Sequence, residues 1–280
     1  MAEDKIAILG AQGMLGTDLA HACAENGLNF EVFDLPRFDI TNPEHLSNIL
    51  SHSPIVINCA AYTNVEKAES EFDPAYQVNA AAIANLGAIA TDTKSWVLHI
   101  STDFVFDGKL DRPYKETDEP NPVNAYGRTK LAGEKLLADS GCSHCIIRIE
   151  WTYGRAGENF ITKLIEHAKA DRNIRIVDDQ TGSPTATTQV AETICELLQK
   201  KPQGLFHFAA CGYASRFEVA KFIFDTLRMS VNLTACKSSD YVTAAARPLN
   251  SRFDCSKIQA MLDKPIKMWQ IPLKQFLEQL

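Results

Sequence analysis

Short, continuous apolar runs alternate along the chain with stretches of helical character. KIAIL (5–9), EVF (31–33), PIVINCA (54–60), WVLHIS (96–101), CIIRI (145–149) and IRIV (174–177) have strand length and little polar alternation. A strand with one wet face alternates, whereas a strand apolar on both sides belongs in a parallel sheet covered by helices. Between these runs PAYQVNAAAIANLGAIA (74–90) and AYGRTKLAGEKLLAD (125–139) read as helices. The alternation predicts an α/β fold, a doubly wound parallel sheet of Rossmann type. It loosens after residue 150, where DDQTGSPT (178–185) and AAARPLNS (244–251) interrupt it. The expected organisation is a Rossmann domain over 1–150 and a smaller C-terminal lobe over 151–280, partly interleaved with the sheet domain.

A chain of 280 residues, 45% hydrophobic and 22% charged, can bury a sizeable core. Its formal net charge of -7 argues against nucleic acid as a partner, because phosphate binding needs a basic surface. No run reaches the roughly 20 apolar residues that cross a bilayer, and the N-terminus lacks a basic, then apolar, leader pattern. No membrane association is therefore expected. The eight cysteines, at 23, 59, 142, 145, 195, 211, 236 and 255, are scattered and often sit in apolar runs. They read as free thiols of a cytoplasmic protein. Cys142 and Cys145 form a C-x-x-C without a second pair at zinc spacing, so CSHCIIRI reads as entry into a buried strand rather than a metal site. No metal ligands are assigned.

The first strand runs directly into Gly10-Ala-Gln-Gly13-Met-Leu-Gly16 and then into TDLAHACAEN, a helical stretch. Glycines there allow a tight turn, close approach of backbone to a pyrophosphate, and packing of helix on strand. The helix N-terminus then offers free N–H groups and its positive end to phosphate. A nicotinamide dinucleotide, NADPH or NADH, is the expected cofactor. Asp34 ends the second strand, about 20 residues past the loop, where a carboxylate can accept the adenosine ribose hydroxyls. The alternative is a solvated loop aspartate. Arg37, three residues on, could attract a 2′-phosphate instead, and FDIT (38–41) could border the adenine.

The fourth apolar run ends in Ile100-Ser101-Thr102-Asp103, and Tyr126-Gly-Arg-Thr-Lys130 follows on a helix. Tyr and Lys four residues apart share a helix face. A cation beside a phenol favours the phenolate, so a lowered tyrosine pKa is expected. Such a tyrosine exchanges a proton with a carbonyl oxygen while hydride moves to or from the carbon. Thr102, at the carboxyl end of a strand where open α/β sheets bind ligands, can polarise that carbonyl. Thr102, Tyr126 and Lys130 are the candidate catalytic set. The chain carries no G-x-S-x-G elbow and no H-E-x-x-H. His99 and His207 sit in strand-like runs and read as satisfied core residues.

With these motifs on one chain, the sequence resembles the dTDP-4-dehydrorhamnose reductases of the extended short-chain dehydrogenase/reductase superfamily. The resemblance runs from GAQGMLG (10–16) through NCAAYTNVEKAE (58–69), Asn79, ISTDFVFDG (100–108), NAYGRTKLAGE (124–134), RIEWTYG (148–154), DDQTGSPT (178–185) and ARPLNSRFDCSK (246–257). It implies that Gly10, Gly13, Met14, Leu15 and Gly16 hold the pyrophosphate. Asp34, Asp39 and Ile40 would border the adenosine, and Ala61, Tyr62 and Thr63 would line the cofactor channel. Tyr126 and Lys130 would also contact the nicotinamide side. Thr102, Asp103 and Trp151 would meet the sugar, the indole offering an apolar face to the 6-deoxy ring. The implied reaction reduces the 4-keto group of a dTDP-sugar, for cell-surface polysaccharide synthesis. Members of the family form dimers, in some cases with Mg2+, which cannot be placed on residues here. Where the family often reads R-T-S-W, this chain reads Arg148-Ile-Glu150-Trp151. Two alternatives remain: another nucleotide-sugar reductase or epimerase, and a non-catalytic subunit resembling the β subunit of methionine adenosyltransferase.

Overall fold

The computed structural model describes residues 4–280. The first half of the chain runs β1 (Ile6–Leu9), α1 (Met14–Glu25), β2 (Phe30–Phe33), α2 (Pro43–Leu50) and β3 (Ile55–Asn58). It continues with α3 (Val65–Ala68), α4 (Phe72–Tyr76), a π-helical turn (Gln77–Ala81), α5 (Ala82–Thr93), β4 (Trp96–Thr102), α6 (Ala125–Asp139) and β5 (His144–Ile149). The second half holds β6 (Thr152–Tyr153), α7 (Phe160–Ala170), β7 (Asn173–Val177), β8 (Thr181–Gly182), β9 (Thr185–Ala186) and α8 (Thr187–Lys200). After these come β10 (Gly204–Phe208), β11 (Ala214–Ser215), α9 (Arg216–Thr226), β12 (Asn232–Cys236), α10 (Ser256–Gln259) and α11 (Gln270–Leu277).

Six strands form one parallel sheet in the order β10-β5-β4-β3-β1-β2. The continuity of the apolar runs follows from its two covered faces. Ile6, Ile8, Ile55, Ile57, Leu98 and Ile147 point to the face packed by Leu15 and Leu19 of α1 and by Val190, Ile194 and Leu197 of α8. Their neighbours Ala7, Leu9, Val56, Val97 and Ile146 point to the face packed by Leu46 of α2, Ile83 and Leu86 of α5, and Leu137 of α6. Each large apolar side chain so buried contributes about 1.5–3 kcal/mol. From β1, the chain lays β2 on one side and β3 to β5 on the other. Ligands of open α/β sheets bind beyond the carboxyl ends of the strands at such a reversal.

The sheet departs from the sequence expectation at one edge. IRIV is β7, but it pairs with β12 in a separate two-stranded sheet of the C-terminal lobe. The sixth strand of the main sheet is β10, GLFHF, aligned with β5. The lobe has its own core, in which Tyr153, Leu164, Ile165, Val219, Ile223, Trp269 and Leu273 meet.

The helix expected over 74–90 is also interrupted. A π turn inserts between α4 and α5, and π turns gather at functional positions. It drives the main chain of Asn79 against α6, so that a Cβ on Gly133 would lie 2.0 Å from the Asn79 carbonyl oxygen. Only glycine permits this approach. Gly133→Ala must therefore push α6 outwards, and we expect a loss of about 1–3 kcal/mol in unfolding free energy, the usual scale of overpacking. Urea denaturation measures it; an unchanged midpoint would contradict this packing.

Candidate active site

A cavity of about 830 Å3 opens at the carboxyl edge of the sheet, and every site residue expected from the sequence except Arg37 lines it. The glycine loop forms its floor. Gly10 has φ +75°, and a Cβ there would lie 2.5 Å from the Ala60 amide nitrogen at the end of β3. A Cβ on Gly16 would fall 2.2 Å from the Gly10 carbonyl oxygen, so the loop folds tightly on itself. Gly13 is the N-cap of α1 and carries no capping side chain. The first-turn N–H groups, including those of Met14 and Leu15, are left for an anion.

Asp34 stands half-buried beside this loop. Its Oδ2 accepts from the Gln12 amide at 2.7 Å and its Oδ1 from the Leu35 amide at 2.8 Å. The carboxylate therefore braces the glycine turn as well as facing the cavity. Arg37 is exposed and does not line it. Asp39 accepts from the Thr41 hydroxyl at 2.7 Å and the Thr41 amide at 2.9 Å, which hold its pKa below the usual carboxylate value. Ile40 is buried beside it. Along the next wall, Ala61, Tyr62 and Thr63 leave β3 in an order set by Asn79. The Asn79 Oδ1 accepts from the Tyr62 amide at 2.9 Å, and its Nδ2 donates to Thr129 of α6 at 3.0 Å.

Thr102 and Asp103 end β4. The Thr102 hydroxyl donates to Asp103 Oδ1 at 3.1 Å, and Ser251 donates to Asp103 Oδ2 at 2.5 Å. Burial raises the Asp103 pKa in spite of these bonds. Tyr126 and Lys130 come from the first turns of α6, whose N-cap Asn124 accepts from the Gly127 amide at 2.7 Å. A Cβ on Gly127 would lie 2.1 Å from the Phe104 carbonyl oxygen, so α6 starts in close contact with the chain beyond β4. Tyr126 packs edge-on against Phe104 at 5.6 Å.

The lowered tyrosine pKa expected from the Y-x-x-x-K spacing is not what this arrangement yields. Burial first and Asp103 second push Tyr126 well above the usual phenol value, with Thr102 pulling it partly back. Lys130 spends its charge elsewhere. Its Nζ donates to the Ile100 carbonyl at 2.7 Å and sits 3.3 Å from His99 Nε2. Burial lowers Lys130 to about 8. Asn58 Nδ2 donates to His99 Nδ1 at 3.0 Å, which leaves the proton of the neutral ring on Nε2, facing the amine. His99 is thus fully buried as expected, yet it is also a direct neighbour of a cavity residue. His207 is a plain core residue, stacked on Phe253 at 4.1 Å.

Trp151 follows β5 with φ 45°, a left-handed conformation that costs a bulky residue energy. The Arg216 guanidinium lies 3.5 Å over the ring, and a Cβ on Gly182 would come within 2.7 Å of the ring-fusion atom Cε2. Trp151 lines the cavity with the Arg216 guanidinium over its ring and the Gly182 backbone close to its ring fusion. Glu150 is buried behind it. Its Oε2 accepts from the Ser183 amide at 2.8 Å, its Oε1 has no partner, and burial with Asp103 raises its pKa well above normal. Arg216 was not anticipated: S-R-F-E (215–218) reads as a helix start with a capping box, which it also is. Cys145 enters β5 as expected, and Cys142 and Cys145 are buried free thiols. Among the described residues no three His, Cys, Asp or Glu side chains gather as a metal site, and no helix is long and apolar enough to cross a membrane.

A glycine loop at a sheet reversal, joined in one cavity to a threonine, a tyrosine and a lysine, defines a nicotinamide-dependent oxidoreductase of the short-chain dehydrogenase/reductase type. The chain belongs to the dTDP-4-dehydrorhamnose reductase family: the family described as RmlD substrate binding domain matches residues 4–280. It is 34% identical to the dTDP-4-dehydrorhamnose reductase of Salmonella typhimurium, over 98% of this chain and 97% of that one. It is 35% identical to a dTDP-4-keto-6-deoxy-D-glucose reductase of Streptomyces niveus, over 97% and 96% of the two chains. The crystal structure of the Bacillus anthracis dTDP-4-dehydrorhamnose reductase in complex with NADP superposes with a TM-score of 0.94 at 32% identity, covering 99% of this chain and all of that one.

The buried amine makes a pH prediction. A lysine lowered to about 8 loses its charge as pH rises through that value. We expect kcat/KM for the coenzyme, which reports the free enzyme, to fall through the same range. The unfolded chain keeps its lysine proton to higher pH, so the folded state gains stability as pH rises from about 8 towards the ordinary lysine value. A flat kcat/KM profile across that window would contradict the placement of the charge.

Proposed function

We propose that this chain reduces the 4-keto group of dTDP-4-dehydro-L-rhamnose to dTDP-L-rhamnose, using NADPH or NADH. The observation that carries the reading is that Thr102, Tyr126 and Lys130 share one cavity with the glycine loop and Asp34. The residues fit a nicotinamide dinucleotide. Side chains would fill the cradle at Gly10 and Gly16, and the uncapped start of α1 suits a pyrophosphate. When bound, this group supplies hydride to the sugar carbon.

The chain's own residues do the rest. Thr102 turns its hydroxyl proton from Asp103 to the substrate carbonyl oxygen and draws charge towards it. Tyr126, held protonated by burial and by Asp103, delivers its proton to that oxygen as the alkoxide forms. A raised phenol pKa suits this direction, because the group begins as an acid. Lys130 bonds the coenzyme ribose and, while charged, stabilises the tyrosinate left behind. Asp34 accepts from the adenosine ribose; Arg37, on the surface, is the candidate partner for a 2′-phosphate. The eight cysteines are free thiols, which suits the reducing cytoplasm.

Two variants test the assignment. Tyr126→Phe should lower kcat by at least about 10²-fold, the usual scale of general acid catalysis, with coenzyme Kd unchanged. The assay follows NADPH oxidation with dTDP-4-dehydrorhamnose made in situ. Turnover near that of the wild type in this variant would remove Tyr126 from the chemistry. Asp34→Ala should weaken NADH more than NADPH, because the carboxylate repels a 2′-phosphate and serves only a free ribose hydroxyl. Equal losses for both would mean that Asp34 acts solely by bracing Gln12 and Leu35.

A further inference from the structure

Arg216 is the first residue of α9, and its backbone is fixed from both sides. Ser215 and Glu218 form a reciprocal capping box, with the Glu218 amide donating to Ser215 Oγ at 3.1 Å and the Ser215 amide to Glu218 Oε2 at 2.7 Å. The Arg216 amide donates to the Gln180 carbonyl at 3.2 Å. The side chain is equally constrained. Its guanidinium lies 3.5 Å from the Trp151 ring centre and 4.8 Å from that of Phe160. A planar group between two rings keeps its orientation.

This guanidinium lines the cavity together with Thr102, Asp103 and Tyr126, yet it makes no hydrogen bond to any described residue. Arg148, which is buried, behaves differently: it donates to Glu134 through Nε at 2.9 Å and Nη2 at 2.6 Å. Asp103 and Glu150 act on the Arg216 charge, but their oxygens accept from Thr102, Ser251 and Ser183 instead. A desolvated cation with unspent donors is costly unless a ligand meets it.

We propose that Arg216 reads the sugar ring, donating hydrogen bonds to hexose oxygens while the Trp151 indole serves as its backing plate. The proposal rests on the nucleotide-sugar reading above. The hexose is favoured over the diphosphate as the acceptor by the neighbours. Asp103 and Glu150 act on Arg216, and a sugar hydroxyl can donate to a carboxyl oxygen while it accepts from the guanidinium, which a phosphate carrying no proton cannot do. Arg216 also shares its end of the cavity with Thr102 and Tyr126, which place the sugar carbonyl.

Product binding tests this without turnover. Calorimetry in the presence of NADP+ compares dTDP-L-rhamnose with dTDP, which lacks the sugar. Arg216→Met should weaken dTDP-L-rhamnose by about 10- to 100-fold, the usual scale for a hydrogen bond to a charged donor, and leave dTDP and NADP+ unchanged. Arg216→Lys, which keeps charge and stem but not the planar fork, should lose part of this and stands in if the methionine variant does not fold. Equal weakening of both ligands would assign Arg216 to the nucleotide and overturn the proposal, as would no change in either. If the wild type binds neither ligand, the nucleotide-sugar reading itself fails, a result distinct from an unaltered ratio.

Discussion

The amine of Lys130 is placed where an amine is hard to keep. It lies buried at the end of the sheet, 2.7 Å from the Ile100 carbonyl, with a neutral imidazole as its other neighbour. Holding it there requires α6 to press closely on the strand ends, and much of the surrounding sequence provides for that. Gly127 and Gly133 let the helix approach the Phe104 and Asn79 carbonyls within distances no side chain tolerates. Asn79 ties the π turn to Tyr62 and to Thr129. One turn further along, Glu134 accepts from Ser101 and Arg148, pinning α6 to β4 and β5. The same approach that desolvates the lysine delivers Tyr126 beside Thr102. Catalytic geometry and helix docking are one constraint.

Much of this was legible in the sequence because it depends on local pattern. Strand-length apolar runs identify β1, β3, β4 and β5, and glycines between strand and helix identify the nucleotide floor. The expected residues reach one cavity because they follow the carboxyl ends of β1, β2, β3, β4 and β5 or sit in the first two turns of α6, positions that sequence pattern marks. Long-range pairing is less legible. IRIV and GLFHF look alike as short apolar segments, and nothing local says that the second joins β5 while the first pairs with β12. The π turn is silent too, since QVNAA is unexceptional helical sequence whose extra residue is set by packing against Gly133.

Electrostatic expectations fared worse than geometric ones. Spacing places Tyr126 and Lys130 on one helix face, and they do share the cavity, but spacing carries no account of burial. The phenol is raised rather than lowered, and the lysine bonds a main-chain carbonyl. Trp151 likewise reaches the expected cavity, and the cation over its ring, Arg216, is remote in sequence and carries no local signal. Arg216 could not be singled out because nothing local to S-R-F-E says which cavity its side chain enters; the tetrapeptide is a helix start with a capping box.

The return of the chain to its own sheet shapes how the protein comes off the ribosome. β10 aligns with β5 and α8 packs on α1, so the first 150 residues emerge with an unpaired strand edge and a bare apolar helix flank. Thr187 at the start of α8 donates to Asp18 of α1 and also lines the cavity, so one wall of the coenzyme site arrives with this helix. The nascent N-terminal half is thus a half-covered sheet, the kind of intermediate that aggregates or recruits chaperones. Vectorial synthesis cannot finish one lobe before the other; completion of the fold must wait until α8 and β10 have cleared the exit tunnel.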